Sequence, residues 1–193
     1  IPGLQRFLVN ALNYLTQKEI IQGCKKGRED AYRFLVDHFA DHLMGICVRY
    51  LRDRQKAEDA VQETYISVFK SINRFDESGT LKAWMSKIAI NNCLKELRKG
   101  SRLSYTEEDI VFEKAFEQPE VYEKLSAEEI LATLDKLPQH YRIIINLHVI
   151  EGYSHKEISE MLNIEESLSR TKLTRARKML QEEHLFILKK SIV

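Results

Sequence analysis

Between Ser167 and Lys178 the chain carries Arg170, Lys172, Arg175, Arg177 and Lys178 and no acidic residue. A helix so loaded can send its first residues to base edges in a major groove, where arginine pairs bidentately with guanine. Its later cations can neutralise phosphates and release counterions. A solvated basic helix face has the same composition. A second constellation is Asp59, Gln62 and Glu63, at offsets of zero, three and four, so that they share one helical face with Glu58 beside it. Carboxylates on a helix can serve metal or acid–base chemistry. Here no histidine stands at a matching offset, and no second carboxylate–histidine motif completes a diiron-type set. A protein-docking face and an ordinary solvated face remain. The third constellation is Lys82, Lys87, Asn91, Asn92, Lys95, Arg98 and Lys99, running into Gly100-Ser101-Arg102. Cations mixed with amides suit single-stranded nucleic acid, whose unstacked bases stack on planar groups and bond to amides. Phe75, in the loop before them, is either such a stacking platform or a buried loop anchor. Trp84 is read as core.

Helices must position all three. Ser154-His155-Lys156-Glu157 is a capping box that starts a short helix ending near Leu162. Asn163-Ile164-Glu165 makes a turn, and a long helix comes after it from about Glu166. Short helix, tight turn and longer helix are the sequence form of a helix-turn-helix. Ile158, Met161, Leu162, Ile164, Leu168 and Leu173 can close its small core. Ahead of it, Ser126-Ala127-Glu128-Glu129 opens one helix, and Pro138 opens another that carries Ile143, Ile144, Leu147 and Val149 or Ile150 inward. Gly152 is the expected left-handed cap.

The first part of the chain reads as four helices. Thr16-Gln17-Lys18-Glu19 is a capping box for a short helix stopping at Gly27. A second helix spans about 29–51, with Ala31, Phe34, Leu35, His38, Phe39 and Met44 through Val48 at a three-to-four spacing. A third spans about 55–72. Residues 73–80 are a loop by their Asn, Asp, Ser and Gly content. A fourth spans about 81–98, with Leu81, Trp84, Ile88, Cys93, Leu94 and Leu97 inward. Between Tyr105 and Glu129, nine acidic residues face two lysines around Pro119. That stretch is a solvated tether or a nucleic-acid mimic that enters a partner's basic channel.

Composition excludes other classes. The 193 residues are 44% hydrophobic and 31% charged, with only seven Gly and three Pro, an ordinary soluble balance that favours long helices. The net charge of +1 says nothing about partners; its distribution does. Cys24, Cys47 and Cys93 are too few and too far apart for a disulfide framework, and no CxxC pair suggests zinc. They are expected to be core or surface thiols in a reducing cytosol. No apolar run approaches the roughly 18–20 residues of a membrane span. Ile1-Pro2-Gly3-Leu4 lacks the basic start of a signal peptide. None of the six histidines pairs with Cys, Ser or carboxylate at a catalytic spacing, so neither enzyme nor cofactor is expected. His38 and His42, four apart without a third ligand, read as helix surface, and no metal site is expected.

Several ordered motifs resemble the extracytoplasmic-function subfamily of the sigma-70 family of bacterial RNA polymerase sigma factors. They are Asp59-Ala60-Val61-Gln62-Glu63-Thr64, Phe75 through Met85, Ile88-Ala89-Ile90-Asn91, Leu137-Pro138, Glu151-Gly152-Tyr153-Ser154, Glu157-Ile158-Ser159 and Arg175-Ala176-Arg177. The resemblance covers about Thr16 to Leu180. It implies an all-α chain: residues 1–15 unassigned, a region 2-like domain over 16–102, the acidic linker over 103–125, and a region 4-like helix-turn-helix domain over 126–193. It implies that Asp59, Gln62 and Glu63 dock on the clamp of the polymerase's largest subunit. The second domain would touch the flap of the other large subunit. Ser71, Asn73, Arg74, Phe75, Lys87, Asn91, Asn92, Lys95 and Arg98 would hold the melted −10 element. Ser154, His155, Ser169, Arg170, Lys172, Arg175 and Arg177 would read the −35 element as duplex. It further implies promoter DNA and core polymerase as partners, an anti-sigma protein, and a cytoplasmic chain not inserted in a membrane. The chain departs from the family at Leu168-Ser169, where a small hydroxylated residue followed by Val is common, so the promoter sequence is not inferred.

The competing reading is a stand-alone helix-turn-helix regulator that binds duplex DNA without polymerase. It accounts for the second domain and leaves the acidic face and the basic fourth helix without a role.

Overall fold

The computed structural model describes residues 17–76, 79–99, 134 and 136–191, with side chains to residue 182. The expected capping boxes at Thr16 and Ser126 and the acidic linker lie outside the described residues. The chain forms two compact units, 1–97 and 98–193. Every regular element among the described residues is helical.

In the first unit, α1 (Gln17–Lys25), α2 (Glu29–Leu51), α3 (Arg54–Ser71) and α4 (Leu81–Lys99) begin and end where local chemistry dictates. Gly27, at φ +73°, releases the chain from α1. The Arg28 amide closes the same turn on the Gly23 carbonyl at 3.0 Å. Arg52 ends α2 in the left-handed region, its amide held by the Val48 carbonyl at 2.9 Å. Asp53 then caps α3 by accepting from the Lys56 amide at 3.1 Å. Thr80 caps α4 through the Ala83 amide at 3.2 Å.

Ile21, Leu35, Leu43, Cys47, Tyr50, Ala57, Val68, Ile72, Leu81, Met85, Ala89, Cys93 and Leu94 are buried where these helices meet. Side-chain hydrogen bonds lock the packing. Tyr32 Oη donates to the Cys24 carbonyl at 2.8 Å and Tyr65 Oη to the Val36 carbonyl at 3.1 Å. His42 Nε2 meets Ser86 Oγ at 2.9 Å, joining α2 to α4. All three cysteines are buried free thiols. Cys47 and Cys93 share a hydrogen bond that, with burial, pushes the Cys93 thiol far up.

Several core expectations change here: Val48, placed in the stripe of α2, is 42% exposed, and Trp84, read as core, is half-buried. His38 is exposed, stacked on Phe34 with ring centroids 5.2 Å apart. Ile88 is only half-buried, because the inward stripe of α4 runs through Leu81, Met85, Ala89, Ile90, Cys93 and Leu94.

In the second unit, α5 (Gln139–Ile145) widens into a π-helical turn over Asn146–Ile150. The Glu151 amide reaches the Asn146 carbonyl at 2.9 Å, a five-residue step. The wider turn shifts the helical phase of its last residues, so Val149 and Ile150, one of them expected inward, are both exposed, at 56% and 44%. Gly152 takes φ +79° as expected. α6 (His155–Leu162) carries both halves of its capping box: the Glu157 amide donates to Ser154 Oγ at 3.2 Å, and the Ser154 amide to Glu157 Oε2 at 2.8 Å. Asn163, at φ 54°, closes α6, and α7 (Glu166–Ser191) comes next. The helix-turn-helix is thus α6, Asn163–Glu165 and α7, over a core of Ile143, Ile144, Leu147, Ile158, Leu162, Leu173 and Ala176.

Candidate nucleic-acid interface and docking face

α3 buries Ala57, Ala60, Val61, Thr64, Tyr65 and Val68. At about 100° per residue, the opposite face is that of Asp59, Gln62 and Glu63, and all three are exposed. Glu58 is held by Arg54 Nε at 3.0 Å. Asp59 and Glu63 form no ion pair among the described residues. The acidic face is therefore two solvated carboxylates and an amide on a rigid helix, available to a cationic partner.

The expected single-strand site divides into exposed and structural members. Lys87, Asn91, Lys95 and Arg98, spaced by four, four and three residues, share one exposed face of α4. Asn73 and Arg74 are exposed on the 3₁₀ turn Ile72–Arg74. Ser71 donates to the Ser67 carbonyl at 2.6 Å, within its own helix. Asn92 is half-buried and donates through Nδ2 to Thr64 Oγ1 at 3.2 Å, tying α4 to α3. Phe75 is 5% exposed, its ring 5.0 Å from that of the half-buried Trp84. Of its two readings the buried anchor holds, since a ring enclosed in the unit offers no face to a base.

The helix-turn-helix shows a similar division. Arg170 and Arg177 are exposed and Arg175 is half-buried on α7. Arg170 is paired with Glu166 in the first turn of α7. Ser169 and Lys172, expected to face bases, are 0% exposed. The reason is helical period: Ser169, Lys172, Leu173 and Ala176 stand at offsets of zero, three, four and seven, the stripe packed against the rest of the unit. Lys172 Nζ lies 5.5 Å from the centroid of the Tyr141 ring, a cation–π arrangement. The outward side of α7 instead presents Ser167, Arg170, Thr174, Arg177 and Lys178.

Ser154 spends its hydroxyl on the α6 cap. His155 is half-buried, and its Nδ1 meets Ser169 Oγ at 2.9 Å. Burial first, then His148 and Arg170, and least Arg177, hold the His155 imidazole below the ordinary value of 6.5, against an opposing effect of Glu166. His148, which sequence reasoning missed, stacks on His155. Its Nδ1 lies 2.8 Å from the Tyr153 carbonyl, so that nitrogen carries the proton and donates. Ser169 and His155 thus connect α7 to α6, and His148 backs them from the π-helical turn.

Known proteins resemble both units. A family model described as Sigma-70 region 2 matches residues 35–103, and one described as Sigma-70, region 4 matches residues 127–180. The "ECF RNA polymerase sigma factor SigW" of Bacillus subtilis is 29% identical over 181 residues, covering 86% of this chain and 95% of that protein. The "ECF RNA polymerase sigma-E factor" of Haemophilus influenzae is 27% identical over 183 residues, covering 88% and 95%. Among solved structures, the sigma factor RpoE in complex with the anti-sigma factor NepR from Bartonella quintana shares the fold. Its TM-score is 0.50 at 24% identity, over 76% of this chain and 92% of that one.

Proposed function

The chain belongs to the extracytoplasmic-function sigma factors of the sigma-70 family, and from that premise we propose how its residues divide the work of directing core RNA polymerase to promoters. Asp59, Gln62 and Glu63 dock on the clamp of the largest polymerase subunit. The face of Lys87, Asn91, Lys95 and Arg98, with Asn73 and Arg74 beside it, holds the separated strand of the −10 element. Arg170 and Arg177 on α7, with Arg175 and the amino-terminal end of α6, engage the −35 element as duplex, and the same unit touches the flap of the other large subunit. Phe75, Asn92, Ser169 and Lys172 serve by positioning these groups. The chain acts in the cytoplasm and works by binding rather than by catalysis. An anti-sigma protein holds it inactive, as the complex of the Bartonella relative suggests.

The observation that carries this division is the contrast on α3 and α4. Two carboxylates without ion pairs among the described residues and a row of cations and amides occupy adjacent helices of one unit, each on an exposed face. A stand-alone duplex-binding regulator needs neither face. Mixing the full chain with core polymerase tests the proposal. A stable complex that opens a promoter is expected. Tight duplex binding without polymerase, and no complex with it, would return the regulator reading.

A further inference from the structure

Ile66 stands in the middle of the exposed face of α3. At about 100° per residue, Asp59 and Glu63 fall about 20° and 60° to one side of it and Gln62 about 40° to the other. Lys70 stands one turn further on, also exposed. Ile66 is 44% exposed, although it is a large aliphatic residue. The fold does not require an aliphatic group there, because the core of the unit is closed by the opposite side of α3, from Ala57 to Val68. A scattered exposed aliphatic residue is ordinary. This one is flanked on the exposed face by Gln62 and Glu63 one turn before it and Lys70 one turn after it.

The charges on that face do one kind of work and an apolar centre does another. Carboxylates exchange water for a partner's cations and about break even in affinity, while they fix register and speed encounter. Affinity is concentrated in a few central groups that lose all their water, surrounded by contacts that keep water out. A β-branched side chain on a helix has one preferred χ1 rotamer, so its ordering costs little entropy.

We propose that Ile66 is the apolar anchor of the polymerase-docking face, seated against a basic surface of core polymerase, with Asp59 and Glu63 meeting cations beside it. The inference rests on the reading of α3 as that docking face. Charge complementarity sets the chemistry of the occupant: carboxylates one turn apart on one side of Ile66, without ion pairs among the described residues, call for cations beside an apolar contact.

The test compares Ile66→Ala, Ile66→Gln and the double variant Asp59→Ala/Glu63→Ala for affinity to core polymerase across a salt series. Alanine and glutamine are better helix formers than isoleucine, so the Ile66 variants keep the fold, and unchanged thermal unfolding checks this. The expected result for both Ile66 variants is a loss of about tenfold or more, as for one buried aliphatic side chain, with the wild-type salt dependence retained. The double variant is expected to flatten that salt dependence. If the Ile66 variants bind like wild type while the double variant is weakened, the anchor is overturned and the docking face stands. If all three bind like wild type, the docking face falls and the anchor with it.

Discussion

The imidazole rings of His148 and His155 lie nearly parallel, 18° apart, with their centroids separated by 4.3 Å. One ring belongs to the π-helical turn and the other opens α6, and His155 reaches on to Ser169 in α7. Three segments are therefore joined through two stacked rings. A proton on His155 would face His148 across the stack, with Arg170 and Arg177 nearby and only Glu166 opposing them.

This stack sets the sign of a pH dependence. The His155 value lies below 6.5 in the folded chain, so near that pH the unfolded chain binds more protons. The contribution to stability is whole above 6.5. It is lost as pH falls from 6.5 through the folded value, below which both states carry the proton. Thermal unfolding at pH 7.5 and 5.5 should show wild type losing more stability on acidification than His155→Gln. Equal losses would remove His155 from the account. An NMR titration midpoint for His155 below 6.5 is the direct check.

Gly23 is expected to resist substitution for a different reason. A Cβ added there would stand 2.7 Å from Ala31 Cβ, which sits on the backbone of α2 and cannot swing away. Gly23→Ala must push α1 from α2 and disturb the seat of the buried Ile21 and Cys24. A loss of about 1–3 kcal/mol is expected, the usual cost of overpacking. Urea unfolding of the full chain measures it. A variant as stable as wild type would mean that α1 shifts without cost.

Lys172 and Arg177 should separate in DNA binding. Arg177 is exposed without an ion pair among the described residues, and Lys172 is enclosed beside Tyr141. In complex with core polymerase, Arg177→Ala should weaken −35 binding evenly across sequences and lower the salt slope by about 1. Lys172→Met should leave that slope unchanged. A slope lowered equally by both would place the Lys172 ammonium on phosphate.

The same pair shows what was legible in the sequence. The basic count from Ser167 to Lys178 correctly marked a charged helix after a tight turn. Read residue by residue, however, the count ignored period, and Lys172 stands with Leu173 and Ala176 on the packed stripe. Asp59, Gln62 and Glu63 were legible because buried apolar neighbours at Ala57, Val61 and Val68 fix their phase. The π-helical turn was not legible. Ile143 through Ile150 is apolar almost throughout, so no alternation with polar residues reports a widened turn. His148 was missed because its partners are tertiary: a ring from α6 and a carbonyl beyond Gly152. Gly27, Gly152 and Ser154–Glu157 were found because each acts within a few residues of itself.

Strand holding and loop anchoring should also separate by mutation. Lys87, Asn91 and Lys95 share an exposed face, whereas Phe75 is enclosed against Trp84. Extruding a base costs a few kcal/mol. One small exposed row of cations and amides cannot offset several such steps, so the isolated chain should leave duplex DNA closed and open it only with core polymerase. Changing Lys87, Asn91 and Lys95 together to Ala should then impair opening while leaving polymerase docking intact, because the docking face is on α3. These positions are exposed, so the thermal midpoint should hardly move. Phe75→Ala should do the reverse in its first effect. Removing a buried ring costs about 3–5 kcal/mol, so lost stability precedes any loss of opening. Phe75→Leu, which keeps much of the buried volume, should recover both. Permanganate reactivity of unpaired thymines reads opening, and a thermal melt reads stability. Normal opening by the triple variant would move the strand site away from α4. A Phe75→Ala chain with wild-type stability and defective opening would restore the ring as a platform for a base.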